Sequence, residues 1–474
     1  MTNTELSNTI INFEKKESWK WALSLIAITV LAIAMRLYYV NHAVVLNPVR
    51  GDAIQYYSYA WNMVNHSIFS SSSPGSINIT PDSYRDPGYP FFLALWMKQL
   101  GAGDSWYAGV LLCQALLGSL TVTFAAMLGR LWLSTRWTLF AGILMAIWPH
   151  SVVITSFLLS ETLLGFLCAL AMLLCALAIR NLRAYQGAIA GLVIGAASLT
   201  NAVLVPFGIV LAASLFWLKL ANRNFVCALV LGALLLPAAW TVRNMTIPPS
   251  TGDSSPRDRA LLNFIQGSWP EFQPAWRMSF LGSPAEKVQA QSILFSYQQE
   301  YENLKKSPLD GASSVLERFG LHPLLYARWY LLEKPDLLWD WDIRIGQGDI
   351  YVYPTRKDPF SHSSPWIALY SVCRSINQIL MLLAIASIFF VWSKRSPLPK
   401  LRERYGRSAF IIVIYLTTFI TIVYAIFQAE PRYSIAFRSF EILLGTTTLA
   451  GLGICWTNYQ RTRKIIGKDG PIVS

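Results

Sequence analysis

Hydrophobic and polar stretches alternate along this chain on the scale of a lipid bilayer. Long apolar runs recur at residues 21–40, 106–128, 153–178, 225–240, 376–392, 410–427 and 440–456. Roughly 20 apolar residues in helical form cross a hydrocarbon core. A shorter run at 137–148 stops at Pro149-His150, and 185–218 reads as a hairpin of two spans that breaks at Thr200-Asn201 and Pro206. The pattern predicts about ten transmembrane helices.

The polar stretches between them are unequal. The first outer loop, 41–104, contains helical pieces at 53–64 and 90–100. The second piece is too short to span and is expected to lie in the interface. Residues 70–83 are rich in Ser, Pro and Gly and read as a loop. The longest polar region, 242–364, has helical spacing at 285–306 and 311–333, and carries Trp329, Tyr330, Trp339 and Trp341. Aromatic side chains of this kind favour the membrane interface, so the region is expected to lie over the spans. Three parts follow: a transmembrane module at 1–241 that includes the first outer loop, an outer helical region at 242–364, and C-terminal spans with a basic tail at 365–474.

Composition sharpens this picture. Apolar residues make up 54% of the chain and charged residues 14%, against about 25% charged in soluble domains. A soluble globular protein is excluded. The net charge of +13 suggests nucleic acid until its distribution is read. Lys15, Lys16 and Lys20, then Arg130 and Arg136, Arg180 and Arg183, Lys219 and Arg223, the 394–407 segment and the C-terminal tail all fall in alternate loops, on one side of the spans. This is the positive-inside pattern. It puts both termini in the cytoplasm of a plasma or bacterial inner membrane, and it leaves no basic surface for nucleic acid. The first span reads as an uncleaved anchor, because its polar lead is long and no small-residue cleavage site follows. The six cysteines form no CxxC pair, and all but Cys373 sit in apolar runs as small core residues. His42 and His150 have no second ligand at metal spacing. No cofactor is required on this reading, although a divalent cation is left open.

The remaining polar groups are concentrated on the outer side. Asp52, Tyr84-Arg85-Asp86, Glu161, Arg243-Asn244 and Glu430-Pro431-Arg432-Tyr433 all fall at outer span ends. A membrane requires such groups to be paired or to line a cavity. Together they offer a carboxylate base and several arginines, whose planar forks suit phosphate. Each also has a plainer reading. Asp52 fits a helix N-cap, Arg85-Asp86 a local ion pair, Glu161 a structural acceptor, and Arg432-Tyr433 an interfacial anchor. Arg36, in the first span, fits either a side chain snorkelling to the headgroups or a phosphate contact.

Taken in order, these motifs carry a resemblance. Asp52 just after the first span, Arg-Asp-Pro-Gly-Tyr-Pro at 85–90, Ser160-Glu161-Thr162, Thr241-Val242-Arg243-Asn244 and Glu430–Tyr433 before the last span together resemble the GT-C superfamily of glycosyltransferases. The branch they resemble is that of the dolichyl-phosphate-mannose protein mannosyltransferases and the bacterial aminoarabinose transferase. The motif order covers residues 20–456. The resemblance implies an all-α polytopic GT-C fold. It also implies inverting transfer of a sugar from a polyprenyl-phosphate donor, of undecaprenyl or dolichyl type, to an envelope glycan, lipid or protein acceptor on the outer face. The family's base is an acidic residue in the first outer loop, and Asp52 matches it. A second acid commonly follows in the family; here that position is Ala53.

Elementary chemistry supports the same roles. A sugar phosphate ester has a good leaving group, and its transfer passes through an oxocarbenium-like transition state. That needs a carboxylate at the acceptor hydroxyl and cations on the departing phosphate. Asp52 is assigned as base, Arg85 and Arg432 as the leading phosphate ligands and Arg243 as a third. Tyr56, Asp86, Glu161, Glu430 and Tyr433 are assigned supporting roles. Two alternatives are a polytopic transporter and an inactive scaffold of an envelope complex. The first would need broken or charged helices at mid-membrane in paired halves, and no such repeat is legible; Asp52 argues against the second.

Overall fold

The computed structural model describes residues 3–248, 255–392 and 396–466. Lys394, Arg395 and the end of the basic tail, all expected in the cytoplasm, lie outside these residues. In chain order the helices are α1 (Asn3–His42), α2 (Asp52–His66), α3 (Gly88–Leu100), α4 (Asp104–Gly129), α5 (Thr135–Ile147), α6 (Pro149–Val153), α7 (Glu161–Ile179), α8 (Ala184–Thr200), α9 (Phe207–Trp217) and α10 (Arg223–Met245). The outer region supplies α11 (Pro256–Ser268), α12 (Phe272–Leu281), α13 (Pro284–Lys306), α14 (Pro308–Leu321), α15 (Pro323–Arg328) and α16 (Lys334–Trp339). Then follow α17 (Pro359–His362), α18 (Ser364–Ala386), α19 (Phe389–Trp392), α20 (Pro399–Arg402), α21 (Arg404–Ile426), α22 (Pro431–Ser434) and α23 (Arg438–Ile466).

Seven stretches are long and apolar enough to cross a membrane: Trp19–His42, α4, α7, α10, α18, α21 and Pro431–Arg463. An eighth is bent by 56° between α5 and α6, where Pro149 removes an amide donor. The predicted hairpin is a pair of shorter apolar helices, Ala184–Thr200 and Ala202–Trp217. With the bent pair and this hairpin, all ten predicted segments are helical.

Three boundaries move. The fourth run, expected from 153, is helical only from Glu161. Ahead of it lie a 3-10 turn at Ile154–Ser156 and non-helical residues 157–160. This irregular backbone is tolerable at depth because its polar groups are paired. The buried Gln114 side chain donates to the carbonyls of Thr155 and Phe157 at 3.0 and 2.9 Å. The eighth span starts earlier than expected, at Ser364 in α18. The predicted helix over 311–333 is broken at Pro323, with a π-helical turn at Trp329–Glu333.

Helices α8 and α10 meet through small residues. A Cβ on Gly191 would lie 2.2 Å from the Leu229 carbonyl oxygen, and one on Gly232 would lie 2.3 Å from that of Ala188. Only glycine at these points lets the backbones touch. The outer region is fixed to the spans at several points. Strands β1 (Val44–Val45) and β2 (Thr355–Arg356) pair antiparallel and join it to the first outer loop. Gly267, near the end of α11, packs so tightly on the end of α21 that a Cβ there would lie 1.8 Å from the Phe427 carbonyl oxygen. Buried Lys334 donates to the carbonyls of Gly267 and Phe427 and caps the Tyr330 ring at 4.3 Å.

Candidate active site

Asp52 opens α2, but not as its cap. The N-cap is Gly51, with φ +54° and ψ −128°, a region that side-chain-bearing residues avoid. No side-chain cap bond forms there. That backbone turn frees the Asp52 carboxylate. Its Oδ1 accepts from Arg85 Nη2 at 2.6 Å and its Oδ2 from Arg432 Nη2 at 2.8 Å. The Asp52 side chain keeps 25% of its surface open, so a reactant can reach it. Burial alone would raise this carboxyl, but Arg85 and Arg432 outweigh burial and hold it well below the usual carboxylate range.

Both arginines are held by further contacts. Arg85 Nε donates to Gln55, one helical turn beyond Asp52, and its guanidinium lies over the rings of Tyr56 and Tyr84 at 5.3 and 5.8 Å. Arg432 Nε lies 3.2 Å from Glu161 Oε1. Its guanidinium lies 5.3 Å from the centre of the Tyr433 ring, which stacks on Tyr424. The result is a chain Gln55–Arg85–Asp52–Arg432–Glu161. Both carboxylates occupy the first turn of a helix, where the helix dipole favours negative charge.

Asp52, Arg85, Arg432 and Glu161 of this chain line a cavity of about 560 Å³. Tyr56, Tyr84, Asp86, Tyr424 and Tyr433 share the wall, and the outer region contributes Arg259, Gln266 and Ile345. The size suits a sugar-phosphate headgroup.

The structure thus brings together Asp52, Arg85, Arg432, Glu161, Tyr56 and Tyr433. The others are placed differently. Arg85 and Asp86 do not pair with one another. Asp86 accepts from Arg259 at 2.5 Å and from the Ala202 amide at 3.1 Å, so it ties the first outer loop to α11 and the hairpin. Arg243 is not among the residues lining the cavity. It donates to the carbonyls of Asp82 and Phe69 at 2.7 and 3.3 Å and lies over the Trp240 ring. Its guanidinium braces the 69–82 loop, which corrects the expectation of a third phosphate ligand. Glu430 also turns away from the cavity. Its Oε1 accepts from the amides of Arg344 and Ile345 at 2.8 and 3.0 Å, and burial pushes its carboxyl up to about 7. Arg36 neither snorkels nor reaches the main cavity: it is buried, and it donates to the carbonyls of Ala32 and Ala146.

Some groups at the site had not been anticipated. Gln55 sits three residues after Asp52, a spacing that places both on one helix face. Tyr353 packs its ring 3.5 Å from where a Gly51 Cβ would lie, and its hydroxyl accepts from the Ala53 amide. Arg259 comes from an amphipathic helix far along the chain, with no local signal. Among the described residues no three His, Cys, Asp or Glu side chains are grouped to hold a metal ion, and Asp52 and Glu161 are both engaged by arginines.

The fold that carries this carboxylate–arginine cluster has a counterpart among solved structures. The oligosaccharyltransferase AglB from Archaeoglobus fulgidus, solved with an inhibitory peptide and a dolichol-phosphate, shares the fold. The TM-score is 0.51 at 15% identity, over 96% of this chain and 53% of that one. This chain therefore spans about half the length of that enzyme. ArnT from Cupriavidus metallidurans, bound to undecaprenyl phosphate, matches more loosely, with a TM-score of 0.34 at 15% identity, over 91% of this chain and 78% of that one. No protein-family model matches the sequence, and no curated protein matches it.

Proposed function

We propose that this chain is an inverting membrane glycosyltransferase that moves a sugar from a polyprenyl-phosphate donor to an envelope glycan, lipid or protein acceptor on the outer face. One observation carries the reading: Asp52, on the wall of a headgroup-sized cavity, is shared by Arg85 and Arg432. The dolichol-phosphate bound by AglB, a protein of the same fold, agrees with this donor class.

The geometry suggests an order of events. Arg85 and Arg432 enter the reaction paired with a carboxylate. The donor's phosphodiester spreads one negative charge over two oxygens, as a carboxylate does, and gains a second as the sugar leaves, so it draws the two guanidiniums towards itself as the reaction proceeds. Asp52 then loses much of the field that holds its carboxyl low, and its basicity rises towards the ordinary value of about 4. It accepts the acceptor's proton late, as attack on the anomeric carbon acidifies the hydroxyl. The arginines meanwhile stabilise the charge gathering on the departing phosphate. Glu161 holds Arg432 from behind throughout.

The test uses membranes carrying the protein, radiolabelled polyprenyl-phosphate sugars and a panel of envelope acceptors. Wild type should transfer label from at least one donor. Asp52→Asn should lower turnover by at least about 10³-fold while still binding undecaprenyl phosphate, since proton transfer commonly contributes about 10²–10⁴-fold and the arginines remain. Retained turnover in Asp52→Asn would overturn the role of Asp52. The absence of transfer from every donor would overturn the function.

A further inference from the structure

Behind Glu161, on the side away from the main cavity, lies a second, smaller cavity of about 30 Å³. Its wall includes Arg36, Gly118, Ser151, Glu161, Thr162 and Ser439, drawn from five helices: α1, α4, α6, α7 and α23. Four of these side chains present buried polar atoms that no protein group satisfies: Arg36 Nε, Glu161 Oε2, Thr162 Oγ1 and Ser439 Oγ. All four residues are more than nine-tenths buried. Arg36 is locked in place by its Nη1 bonds to Ala146 and Ala32 at 3.1 and 3.2 Å. Gly118 leaves it room, since a Cβ there would sit 2.8 Å from Arg36 Nε.

This lining defines its occupant. Four unpaired polar atoms around one space are not the walls of a dry cavity, because buried polar groups are satisfied by protein or by ordered water. A water needs roughly 10–15 Å³ of such space and two to four polar partners, so the cavity has room for about two. An anion would meet the Glu161 carboxylate, and a metal cation the Arg36 guanidinium. A neutral ligand with both donors and acceptors suits both.

We propose that this cavity is a built-in water site that joins Arg36 Nε to Glu161 Oε2, and that through it Arg36 is a positioning residue for the reaction centre. Arg36 fixes the rear oxygen of Glu161, Glu161 Oε1 fixes Arg432, and Arg432 meets the donor phosphate. The chain of ion pairs and hydrogen bonds from Asp52 thus extends through the membrane-embedded core to the first span. The kinetic part of this inference rests on the glycosyltransferase reading; the water site itself does not.

The experiment has two arms. The first is an experimental structure of the wild-type protein in lipid nanodiscs, at a resolution that shows ordered water. It should show solvent density within hydrogen-bonding distance of both Arg36 Nε and Glu161 Oε2. A dry cavity, or side chains collapsed into it, would overturn the site. The second arm measures undecaprenyl phosphate binding, and the kcat and KM of transfer, for Arg36→Met, Glu161→Gln and the double variant. Each single change should weaken undecaprenyl phosphate binding about tenfold, and the double variant should be no weaker than the worse single. Multiplying losses, or unchanged binding in Arg36→Met, would overturn the positioning role. If Arg36→Met fails to fold, Thr162→Val with Ser439→Ala removes two of the water's partners without touching charge and should still weaken binding; unchanged binding there would count equally against it. A wild type that binds the lipid but transfers no sugar would defeat the proposed function and leave the binding cycle and the density to decide this inference.

Discussion

Arg432 divides one guanidinium between two carboxylates, and Glu430, two residues before it, does a different job. Glu430 faces the outer region, where it accepts two amides from residues 344 and 345; Ile345 in turn lines the main cavity. Its carboxyl is raised from about 4.5 to about 7 by burial, so ionising it costs more in the folded protein than in the unfolded chain. The sign follows from linkage: its contribution to stability is fully present below about pH 4.5 and is lost as the pH rises through about 7. Glu430→Gln keeps an oxygen acceptor and removes the titration. Thermal unfolding measured from pH 5 to 8 should show a decline in Tm for wild type that is smaller in Glu430→Gln. Equal slopes would show that another group sets the pH dependence. At this scale the sequence was readable where an ionisable residue stood at the end of an apolar run, since such a residue must find a partner. Asp52, Arg85, Glu161 and Arg432 each have such a partner. The same logic misplaced Arg243, because an arginine at a span exit satisfies itself equally well on loop carbonyls and a tryptophan face. It could not find Arg259, whose amphipathic helix lies in the long polar region away from any span end.

Helices α8 and α10 show what apolar periodicity leaves unread. Both runs were legible as hydrophobic; α8 keeps its expected length, whereas α10 runs from Arg223 to Met245, beyond the expected 225–240. Their contact depends on Gly187, Gly191 and Gly195, spaced by four along one face of α8 and opposed by Gly232. In lipid, where apolar burial gives no preference for one helix over another, such close backbone approach supplies the van der Waals contact that holds the pair. Gly191→Leu should therefore separate α8 from α10 and lower the Tm in detergent by several degrees. Leu192→Val, on a surface 41% exposed, should change it little, and a matching loss in both would remove the packing argument. The irregular run between α6 and α7 was read as helix for a related reason. Hydropathy reports burial, and residues 154–159 are buried and, apart from Thr155 and Ser156, apolar; Gln114, on another span, satisfies the carbonyls of Thr155 and Phe157 outside a helix.

The molecule as a whole is a set of spans with an outer helical region bolted to their ends, and the bolts bear on function because the cavity is walled by both. Gly267 against Phe427, Lys334 between their carbonyls, and the β1–β2 pair form this seam. Gly267→Ala would force a methyl group into the Phe427 carbonyl. It should detach the seam, speed proteolysis of the outer region and reduce donor binding together. Gly320→Ala, where nothing lies within 4 Å of the added methyl, should leave proteolysis unchanged and stabilise α14 by about 0.5–1 kcal/mol. If Gly267→Ala were as benign as Gly320→Ala, the seam would not be what holds the two parts. Aromatic content pointed to an outer region lying over the spans, but the seam itself is made of backbone carbonyls and a glycine, which leave no pattern in hydropathy.

Asp52 and Arg432 stand 380 residues apart in the chain. At about 5–20 residues per second, the ribosome makes the arginine about 20–75 s after the aspartate. Through that interval Asp52 lacks its second arginine, and Glu161 has yet to meet the same residue. The pocket therefore closes last in time, when the final span arrives. A chain halted anywhere before residue 432 would lack the arginine that Asp52 and Glu161 share.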